Sequence, residues 1–333
     1  MVNAAVVGLG WWGRHVVSRL KGRNEKLNVV LGVDVRPDGA REFARSHGLE
    51  FADDYRAAVE RPDIDAVILT TPHALHEEQA VLAAGAGRHV FCEKPLSLTR
   101  DSAERMAAAC KRAGVVLGIG HERRFEPAMM ELNRLLTEGA LGTIMHVEAA
   151  FSHDKLAALT PDDWRASSEH GPAVAMTGMG IHLTDAWIQM FGPVERVYAQ
   201  RERRVTEIPT GDVVCVQARF RTGATGFLSA ILVTPLFMRY HVFGSTGWAE
   251  VTDSEHPDDP CHAARISVRT RAGDRWSREF HGADAVVANL EAFADAVAGA
   301  VPYPVPVDQM IENVALLEAI GRSFESGRVE QVS

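Results

Sequence analysis

The chain is 333 residues long, 46% hydrophobic, and carries a formal net charge of −9 from 44 acidic and 35 basic residues. This length exceeds one ordinary domain, and the acidic balance disfavours nucleic acid or an anionic membrane surface as a partner. The four cysteines, Cys92, Cys110, Cys215 and Cys261, show no metal-type spacing. No basic leader and no apolar run of membrane-spanning length is seen, so we expect a reduced, cytoplasmic protein.

The first predicted strand leads into a glycine-rich turn. Apolar residues at positions 4–7 precede Gly8-Leu9-Gly10-Trp11-Trp12-Gly13, and a second apolar run ends at Asp34. Gly8 permits the turn, Gly10 leaves room for a pyrophosphate, and Gly13 lets the next helix pack against its strand. The helix N-terminus donates N–H groups to the phosphates, and Asp34 can accept hydrogen bonds from the adenosine ribose. The pattern predicts a dinucleotide site.

Asp34 also bears on the choice of cofactor. A carboxylate at this position repels a 2′-phosphate and favours NAD over NADP. Arg36 could swing toward such a phosphate, and Arg41 and Arg45 follow on the next helix. A solvated helix face is the alternative interpretation of these arginines. The sequence therefore predicts NAD, with NADP as the alternative.

Strand and helix patterns alternate up to residue 121. Helices are predicted near 38–47, 53–59, 75–84 and 101–113, and strands at 66–69, 89–91 and 115–119. Such alternation predicts a doubly wound parallel sheet, a Rossmann domain over residues 1–121, with ligands at the carboxyl ends of its strands. Those ends carry Thr70-Thr71-Pro72-His73, Cys92-Glu93-Lys94-Pro95 and Gly120-His121.

The pattern changes to mostly β structure over residues 122–333. After a helix near 127–137, strands are predicted at 143–151, 194–203, 213–220, 225–233, 239–243, 248–251 and 264–269. Helices near 180–190, 283–298 and 308–326 should cover one face of the sheet. We therefore expect an α+β second domain with an open, mostly antiparallel sheet. We also expect the active site between the two domains and self-association through the sheet.

Several linked motifs then resemble a known family. They are Gly8–Gly13, Thr71-Pro72-x-x-x-His76, Glu93-Lys94-Pro95, Arg123-Arg124-Phe125-x-Pro127 and Gly180-Ile181-His182-x-x-Asp185. In order and spacing the chain resembles the Gfo/Idh/MocA oxidoreductases, named after glucose–fructose oxidoreductase and inositol dehydrogenase. The resemblance implies a nicotinamide-binding Rossmann domain and a C-terminal domain that builds the substrate pocket and often a homo-oligomer interface, as in a dimer or tetramer. It also implies hydride transfer to or from a sugar, cyclitol or similar hydroxylated carbon.

Lys94 is the first catalytic candidate. Its position after a predicted strand places an ammonium at the cofactor cleft, where it can stabilise developing alkoxide charge, and the resemblance gives it this role. A surface lysine at a strand end is the alternative. Pro95 fixes the turn, and the resemblance implies a cis bond before it. Glu93 could pair with a cationic group or contact ribose, and the sequence leaves both alternatives open. We expect Thr71 and Pro72 on the cofactor side.

His182 is the second catalytic candidate. An imidazole can take the proton of a substrate hydroxyl as hydride leaves. Asp185 lies three residues on, on nearly the same helix face, and could contact the imidazole or orient the substrate. Without the resemblance, a structural histidine at a helix start would be the favoured interpretation.

The chain departs from the family pattern Asp-x-Gly-x-His, because Gly178 stands where the Asp is expected. The usual Lys–Asp–His set is thus reduced to Lys94 and His182. Thr177 offers a hydroxyl but cannot act as a general base near pH 7. Three hypotheses follow: a dehydrogenase or reductase that works with the Lys–His pair, a non-catalytic cofactor-binding regulator, and a hydrolase or lyase with an internal NAD redox cycle.

A second departure is His73, where the family commonly has Asn. His73 and His76 form a His-x-x-His pair, but no third ligand follows at a recognisable spacing, so no metal site is predicted. We expect His73 to contact the cofactor and His76 to lie beneath the site. The remaining substrate candidates are His121, Arg124, Lys155 and Arg165, with a salt bridge as the alternative role for Arg124.

Overall fold

The computed structural model describes residues 1–257, 259 and 262–333, so Cys261 lies outside the described residues. The chain folds as two compact units. The first contains Met1–Glu122 and Val286–Ile311, and the second contains Arg123–Ala285 and Glu312–Ser333. The sequence assigns residues 286–311 to the second domain, whereas the structure packs them with the first unit.

The first unit is built on a six-stranded parallel sheet. Its strands are β1 (Val2–Val7), β2 (Leu27–Val33), β3 (Glu50–Ala52), β4 (Ala66–Leu69), β5 (His89–Cys92) and β6 (Leu117–Ile119). Their order is β3-β2-β1-β4-β5-β6, which confirms the predicted doubly wound sheet. The order reverses between β1 and β4, and ligands of such sheets bind at that switch point.

Helices connect these strands. They are α1 (Trp11–Leu20), α2 (Ala40–Ser46), α3 (Tyr55–Glu60), α4 (His76–Gly85) and α5 (Arg100–Ala113). Local chemistry sets both ends of α5. The Thr99 side chain accepts the Ser102 N–H, and Gly114 ends the helix in the left-handed conformation with φ of +69°.

The second unit is built on a mostly antiparallel sheet. Its strands in the described residues are β7 (Ile144–Ser152), β8 (Val194–Glu202), β9 (Val213–Phe220), β10 (Thr225–Ile231), β11 (Phe237–Gly244), β12 (Gly247–Asp253), β13 (Ala263–Thr270), β14 (Arg275–His281) and β15 (Glu330–Gln331). The order is β14-β13-β12-β11-β7-β10-β9-β8-β15, and β7 pairs with β10 in parallel. The predicted open, mostly antiparallel sheet is confirmed.

The later helices divide between the units. They are α6 (Pro127–Thr137), α7 (Ile181–Phe191), α8 (Ala285–Val297) and α9 (Val307–Ser326). The core of the second unit includes Trp187 from α7, Phe220 and Tyr240 from the sheet, and Leu316 and Ile320 from α9.

Helix α8 was expected on the second sheet, but its apolar face completes the core of the first unit. Leu290 and Phe293 are buried there, and the Phe293 ring lies edge-on to Phe91 with centroids 5.4 Å apart. Within the described ranges, no helix is both long and apolar enough to cross a lipid bilayer.

Candidate active site

The glycine-rich turn between β1 and α1 has the shape of a phosphate cradle. Gly8 has a φ of +95°, which an L side chain rarely adopts. A Cβ on Gly13 would overlap the Gly8 carbonyl oxygen, so α1 runs directly against the turn. A Cβ on Gly10 would meet no atom within 4 Å, which leaves open space before the N-terminus of α1. The turn therefore fits a diphosphate group.

Asp34 is held beside this turn by the main chain. Its Oδ2 accepts the Leu9 N–H at 2.8 Å, and its Oδ1 accepts the Arg36 N–H at 2.8 Å. Both carboxylate oxygens are therefore fixed, and each keeps a further lone pair for a ribose hydroxyl. The Arg36 side chain is exposed. The Arg41 guanidinium lies over the Phe51 ring, 4.8 Å from its centroid.

Two tryptophans open α1. Trp11 is 62% exposed at the start of the helix. Trp12 stacks on His15 with ring centroids 5.0 Å apart. Trp11 thus lies next to the open space at Gly10.

His76 connects two turns of the predicted cofactor site. Its Nε2 lies 3.0 Å from the Thr71 carbonyl oxygen, and its Nδ1 lies 3.0 Å from the Pro95 carbonyl oxygen. Pro95 follows Lys94 through a cis peptide bond. His76 is fully buried, and the His73 ring lies edge-on to it with the ring centroids 5.8 Å apart.

Glu93 supports the same turn from the side of β6. A Cβ on Gly120 would overlap the Glu93 carboxylate, so this carboxylate lies directly against the main chain at the end of β6. The Lys94 N–H donates to Glu93 Oε2 at 3.3 Å, and the Lys94 side chain is partly exposed. His121, the next residue after Gly120, is buried. The structure thus brings these predicted residues to the carboxyl ends of neighbouring parallel strands.

His182 follows a widened helical turn in the second unit. Met176–Gly180 form a π-type turn that runs directly into α7. Such turns occur frequently at functional sites. His182 is 5% exposed on the first turn of α7. The Thr177 hydroxyl donates to the Ala173 carbonyl at 3.3 Å, within its own helical segment.

Gly178 lies four residues before His182 and is partly exposed. A Cβ there would lie 2.9 Å from Leu156 Cδ1, the mobile end of a flexible side chain. The position therefore has room for a larger residue if Leu156 changes rotamer.

Asp185 and Arg124 bind each other. Arg124 Nε donates to Asp185 Oδ2 at 2.8 Å, and Nη2 donates to Oδ1 at 2.6 Å. The two side chains are 5% and 1% exposed. This bidentate pair ties α7 to the 3₁₀ turn Glu122–Phe125. The salt-bridge alternative given for Arg124 is what the structure contains.

Aromatic and cationic groups gather around Phe151, at the end of β7. Its ring centroid lies 6.2 Å from that of His182, 5.3 Å from His153 and 5.8 Å from His256. The Arg123 guanidinium lies over the same ring at 4.9 Å. Neither His153 nor His256 was among the predicted site residues. His256 lies in a polar loop between β12 and β13, where no periodicity or motif could have marked it.

The last two substrate candidates differ in their surroundings. Lys155 is exposed, and its N–H donates to His153 Nδ1 at 3.2 Å. The Arg165 guanidinium lies 4.3 Å from the Trp164 ring centroid and 3.6 Å from Asp163. Burial lowers the pKa of Arg165. Among the residues with described positions, no group of three or more His, Cys, Asp or Glu could hold a metal ion.

Comparisons with known proteins identify the family. The "Oxidoreductase family, NAD-binding Rossmann fold" matches residues 2–121, and the "GFO/IDH/MocA C-terminal domain" matches residues 129–250. The myo-inositol 2-dehydrogenase of Thermotoga maritima is 33% identical over 285 residues, 83% of this chain and 81% of that protein. The chain belongs to the Gfo/Idh/MocA oxidoreductase family.

Two further known proteins are similar to this chain, one in sequence and one in fold. The 2,7-anhydro-N-acetylneuraminate hydratase of Escherichia coli is 32% identical over 145 residues, 44% of this chain and 38% of that protein. A levoglucosan dehydrogenase in complex with NADH and L-sorbose has the same fold, with a TM-score of 0.86 and 22% identity. That likeness covers 100% of this chain and 99% of the dehydrogenase.

Proposed function

We propose that this oxidoreductase transfers hydride between NAD and a hydroxyl-bearing or carbonyl carbon of a small polyhydroxylated compound, such as a sugar or cyclitol. The observation that carries the proposal is the glycine cradle at Gly8–Gly13 with the Asp34 carboxylate fixed beside it. The similarity to an inositol dehydrogenase and to a levoglucosan dehydrogenase supports the proposed substrate class.

NAD is the proposed cofactor, and Asp34 is the reason. Its two oxygens are positioned by main-chain N–H groups and would repel a 2′-phosphate. The Arg41 guanidinium packs on Phe51, which supports a structural role for that side chain. Arg36, Arg41 and Arg45 are all exposed, so NADP remains the alternative that a binding measurement must test.

We assign complementary roles to Lys94 and His182. The Lys94 ammonium donates a hydrogen bond to the reacting oxygen and stabilises the negative charge that develops there. His182 accepts the hydroxyl proton in the oxidative direction and returns it in the reductive direction. His76 and Glu93 hold the two sides of the Lys94 turn. Bound NAD supplies the hydride acceptor at C4 of its nicotinamide.

Cofactor binding and turnover test the proposal together. Calorimetry should show that NAD(H) binds more tightly than NADP(H), and NADH absorbance should rise when a sugar or cyclitol is added with NAD. Tighter NADP(H) binding would contradict the role of Asp34. Tight NAD(H) binding without any reaction would instead support the non-catalytic regulator.

A second candidate is a hydratase or lyase with an internal redox cycle. Gly178 in place of the family's Asp favours it, and so does the similarity to the 2,7-anhydro-N-acetylneuraminate hydratase. Such an enzyme returns the hydride within one turnover. Product would then form from an anhydrosugar or related substrate without a net change in NADH absorbance, which product analysis by NMR detects.

We also propose self-association through the outward face of the second sheet. Phe227 on β10 and Phe237 on β11 lie on this face and are 36% and 53% exposed. Glu148 and Arg239 form an ion pair on the same face. Light scattering should give a dimer or tetramer mass, and charge substitutions at Phe227 and Phe237 should reduce it.

A further inference from the structure

We propose that the site around His182 takes a polyol that bears a carboxylate, such as a uronate or aldonate, and that His153 and His256 bind its anionic end. The inference rests on the proposed function and narrows its substrate class. It is carried by the imidazoles that meet at Phe151 and by the absence of a carboxylate at position 178.

Three imidazoles reach Phe151 from separate elements. His153 follows β7, His182 lies on α7, and His256 comes from the loop between β12 and β13. The His153 and His256 rings lie edge-on with centroids 5.0 Å apart. Both of these rings contact the aromatic ring that also neighbours the proposed general base. The proposal places the far end of a substrate bound at His182 at this histidine pair.

The hydrogen bond to His153 determines what its ring can donate. The Lys155 N–H points at Nδ1, so Nδ1 is the acceptor nitrogen and the ring proton is on Nε2. His153 is thus held as an N–H donor, and its main-chain N–H is fixed to the Ile231 carbonyl oxygen at 3.2 Å. A fixed N–H donor is complementary to a carboxylate, and hydrogen bonds to charged acceptors are stronger than neutral ones.

The helical face that carries His182 presents little net negative charge. Position 178, one helical turn before His182, is glycine, and Leu156 lies against it. Asp185, nearly one turn after, is paired in bidentate fashion with Arg124. Neither neighbouring turn therefore presents an uncompensated carboxylate that would repel an anionic substrate.

Charged groups of both signs lie near the cluster. The Arg123 guanidinium covers Phe151, although the buried Glu126 carboxylate pairs with it. The exposed Lys155 lies two residues after His153, with exposed Asp154 between them. Since the first pair is balanced, we assign direct binding of the anion to the histidines rather than to Arg123.

Matched substrate pairs test the proposal. Each pair differs only in a carboxylate against a hydroxymethyl group: D-glucuronate with D-glucose, D-galacturonate with D-galactose, and D-mannuronate with D-mannose. We expect kcat/KM to favour one acid over its partner by about 10-fold or more, because a charge-assisted hydrogen bond contributes about 1.5–3 kcal/mol. A preference for the neutral sugar in every pair would overturn the proposal.

Variants of the two histidines distinguish a specific effect on carboxylate recognition from a general loss of activity. His256→Gln and His153→Gln should lower the acid-to-neutral ratio of kcat/KM about 10-fold, mainly through the KM of the acid. His281→Gln is the matched control, since His281 is exposed on strand β14. If the acid-to-neutral ratio of kcat/KM is unchanged in both histidine variants, the two histidines do not bind the carboxylate.

Position 178 gives a charge test at constant size. Gly178→Asp restores a carboxylate and Gly178→Asn supplies the same volume without charge. The acid-to-neutral ratio should be about 10-fold lower in the Asp variant than in the Asn variant, because only the former repels the anion. Equal ratios would contradict the electrostatic argument.

If none of the six sugars reacts, binding measurements test the proposal instead. Calorimetry of the NADH-loaded protein should then detect an acid that binds at least about 10-fold more tightly than its neutral partner. Loss of that binding in His256→Gln supports the proposal, and absence of any acid binding overturns it. Failure of NAD(H) to bind would instead refute the proposed function itself.

Discussion

Lys94 stands in a turn whose two flanks are fixed by buried groups. Glu93 packs against Gly120 on one side, and the Pro95 carbonyl oxygen contacts His76 on the other. The main chain at Lys94 is therefore held in place while its side chain stays partly exposed. This arrangement suits a residue that must present an ammonium at a fixed point.

Replacing Lys94 by methionine should lower turnover while cofactor binding stays nearly intact. We expect a loss of about 100-fold or more in kcat, because methionine keeps the stem and removes the charge that we propose to stabilise the alkoxide. The Kd of NAD, measured by calorimetry, should change by less than about 3-fold.

Lys111→Met is the control for this variant, since Lys111 is exposed on α5. Its kcat should equal that of the parent. An unchanged kcat in Lys94→Met would remove Lys94 from the mechanism. A kcat loss with an equal loss in NAD affinity would assign Lys94 to cofactor binding.

Single residues were predictable where the backbone alone imposes the identity. Gly13 is required because the helix touches the turn, and Asp34 accepts two main-chain N–H groups whose positions follow from the strand and turn. The partner of Asp185 was not predictable, because Arg124 is 61 residues away and only the fold brings them together. The position of His256 beside Phe151 was not predictable for the same reason.

A buried ion pair between Arg124 and Asp185 joins the 3₁₀ turn Glu122–Phe125 to α7. Arg124→Met should leave the Asp185 carboxylate buried without its partner, which costs about 3–5 kcal/mol of unfolding free energy. Urea unfolding at pH 7 measures this loss. The double variant Arg124→Met with Asp185→Leu should be less destabilised than the sum of the single variants, because neither charge is then left alone.

An exposed pair provides the comparison. Arg203 and Glu207 lie 4.0 Å apart and are 55% and 86% exposed. Arg203→Met should change the free energy of unfolding by less than about 1 kcal/mol. Equal effects of the two arginine substitutions would show that the buried pair contributes no more than a surface contact.

The loop between β8 and β9 is organised by Asp212. Its Oδ1 accepts the Arg204 N–H at 2.9 Å, and its Oδ2 accepts the N–H groups of Val205 and Thr206 at 2.8 and 2.6 Å. Burial acts to raise the pKa of Asp212, but these donors together hold it below its ordinary value. The ionised form is thus favoured in the folded protein.

Asp212→Asn should therefore cost about 1–3 kcal/mol at pH 7, because an amide nitrogen then faces N–H donors. A lowered folded pKa contributes stability above the unfolded value of about 4 and loses it as pH falls through the folded value. The difference between parent and variant, measured by urea unfolding, should shrink below pH 4. A difference that is constant from pH 7 to pH 3 would exclude the charge as its cause.

Element prediction succeeded where apolar periodicity is strong and failed at sheet edges. The strand at 66–69 is found at those residues because four buried apolar side chains define it. Strand β14 was missed because it is an edge strand with mostly exposed, charged residues. Strand β3 is three residues long and carries Glu50, so no pattern could form.

At the scale of the whole molecule, helix α8 shows what periodicity leaves open. The sequence predicted this helix, but an amphipathic pattern does not specify which surface the apolar face of the helix packs against. That surface is the first unit, where Phe293 packs on Phe91 and against Gly118. The sequence therefore predicted the type of both sheets, missed edge strands such as β3 and β14, and assigned one helix to the wrong sheet.

Phe293→Ala should destabilise the first unit by about 3–5 kcal/mol, because it leaves a cavity in a fully buried position. The melting temperature should fall, and the loss of NAD affinity should follow unfolding rather than precede it. Val301→Ala is the control in the same unit, since Val301 is 54% exposed. A melting temperature unchanged by Phe293→Ala would mean that α8 is not part of this core.

The packing of α8 also limits how these proteins can exchange parts. Because the chain leaves the first unit after residue 122, returns at 286 and leaves again after 311, neither unit is one continuous stretch of sequence. A single crossover near residue 122 would combine the first sheet of one parent with the α8 of the other parent. The core of the first unit would then contain a mismatched helix. Functional chimaeras of this family should therefore carry residues 286–311 together with the N-terminal parent, as a two-segment graft.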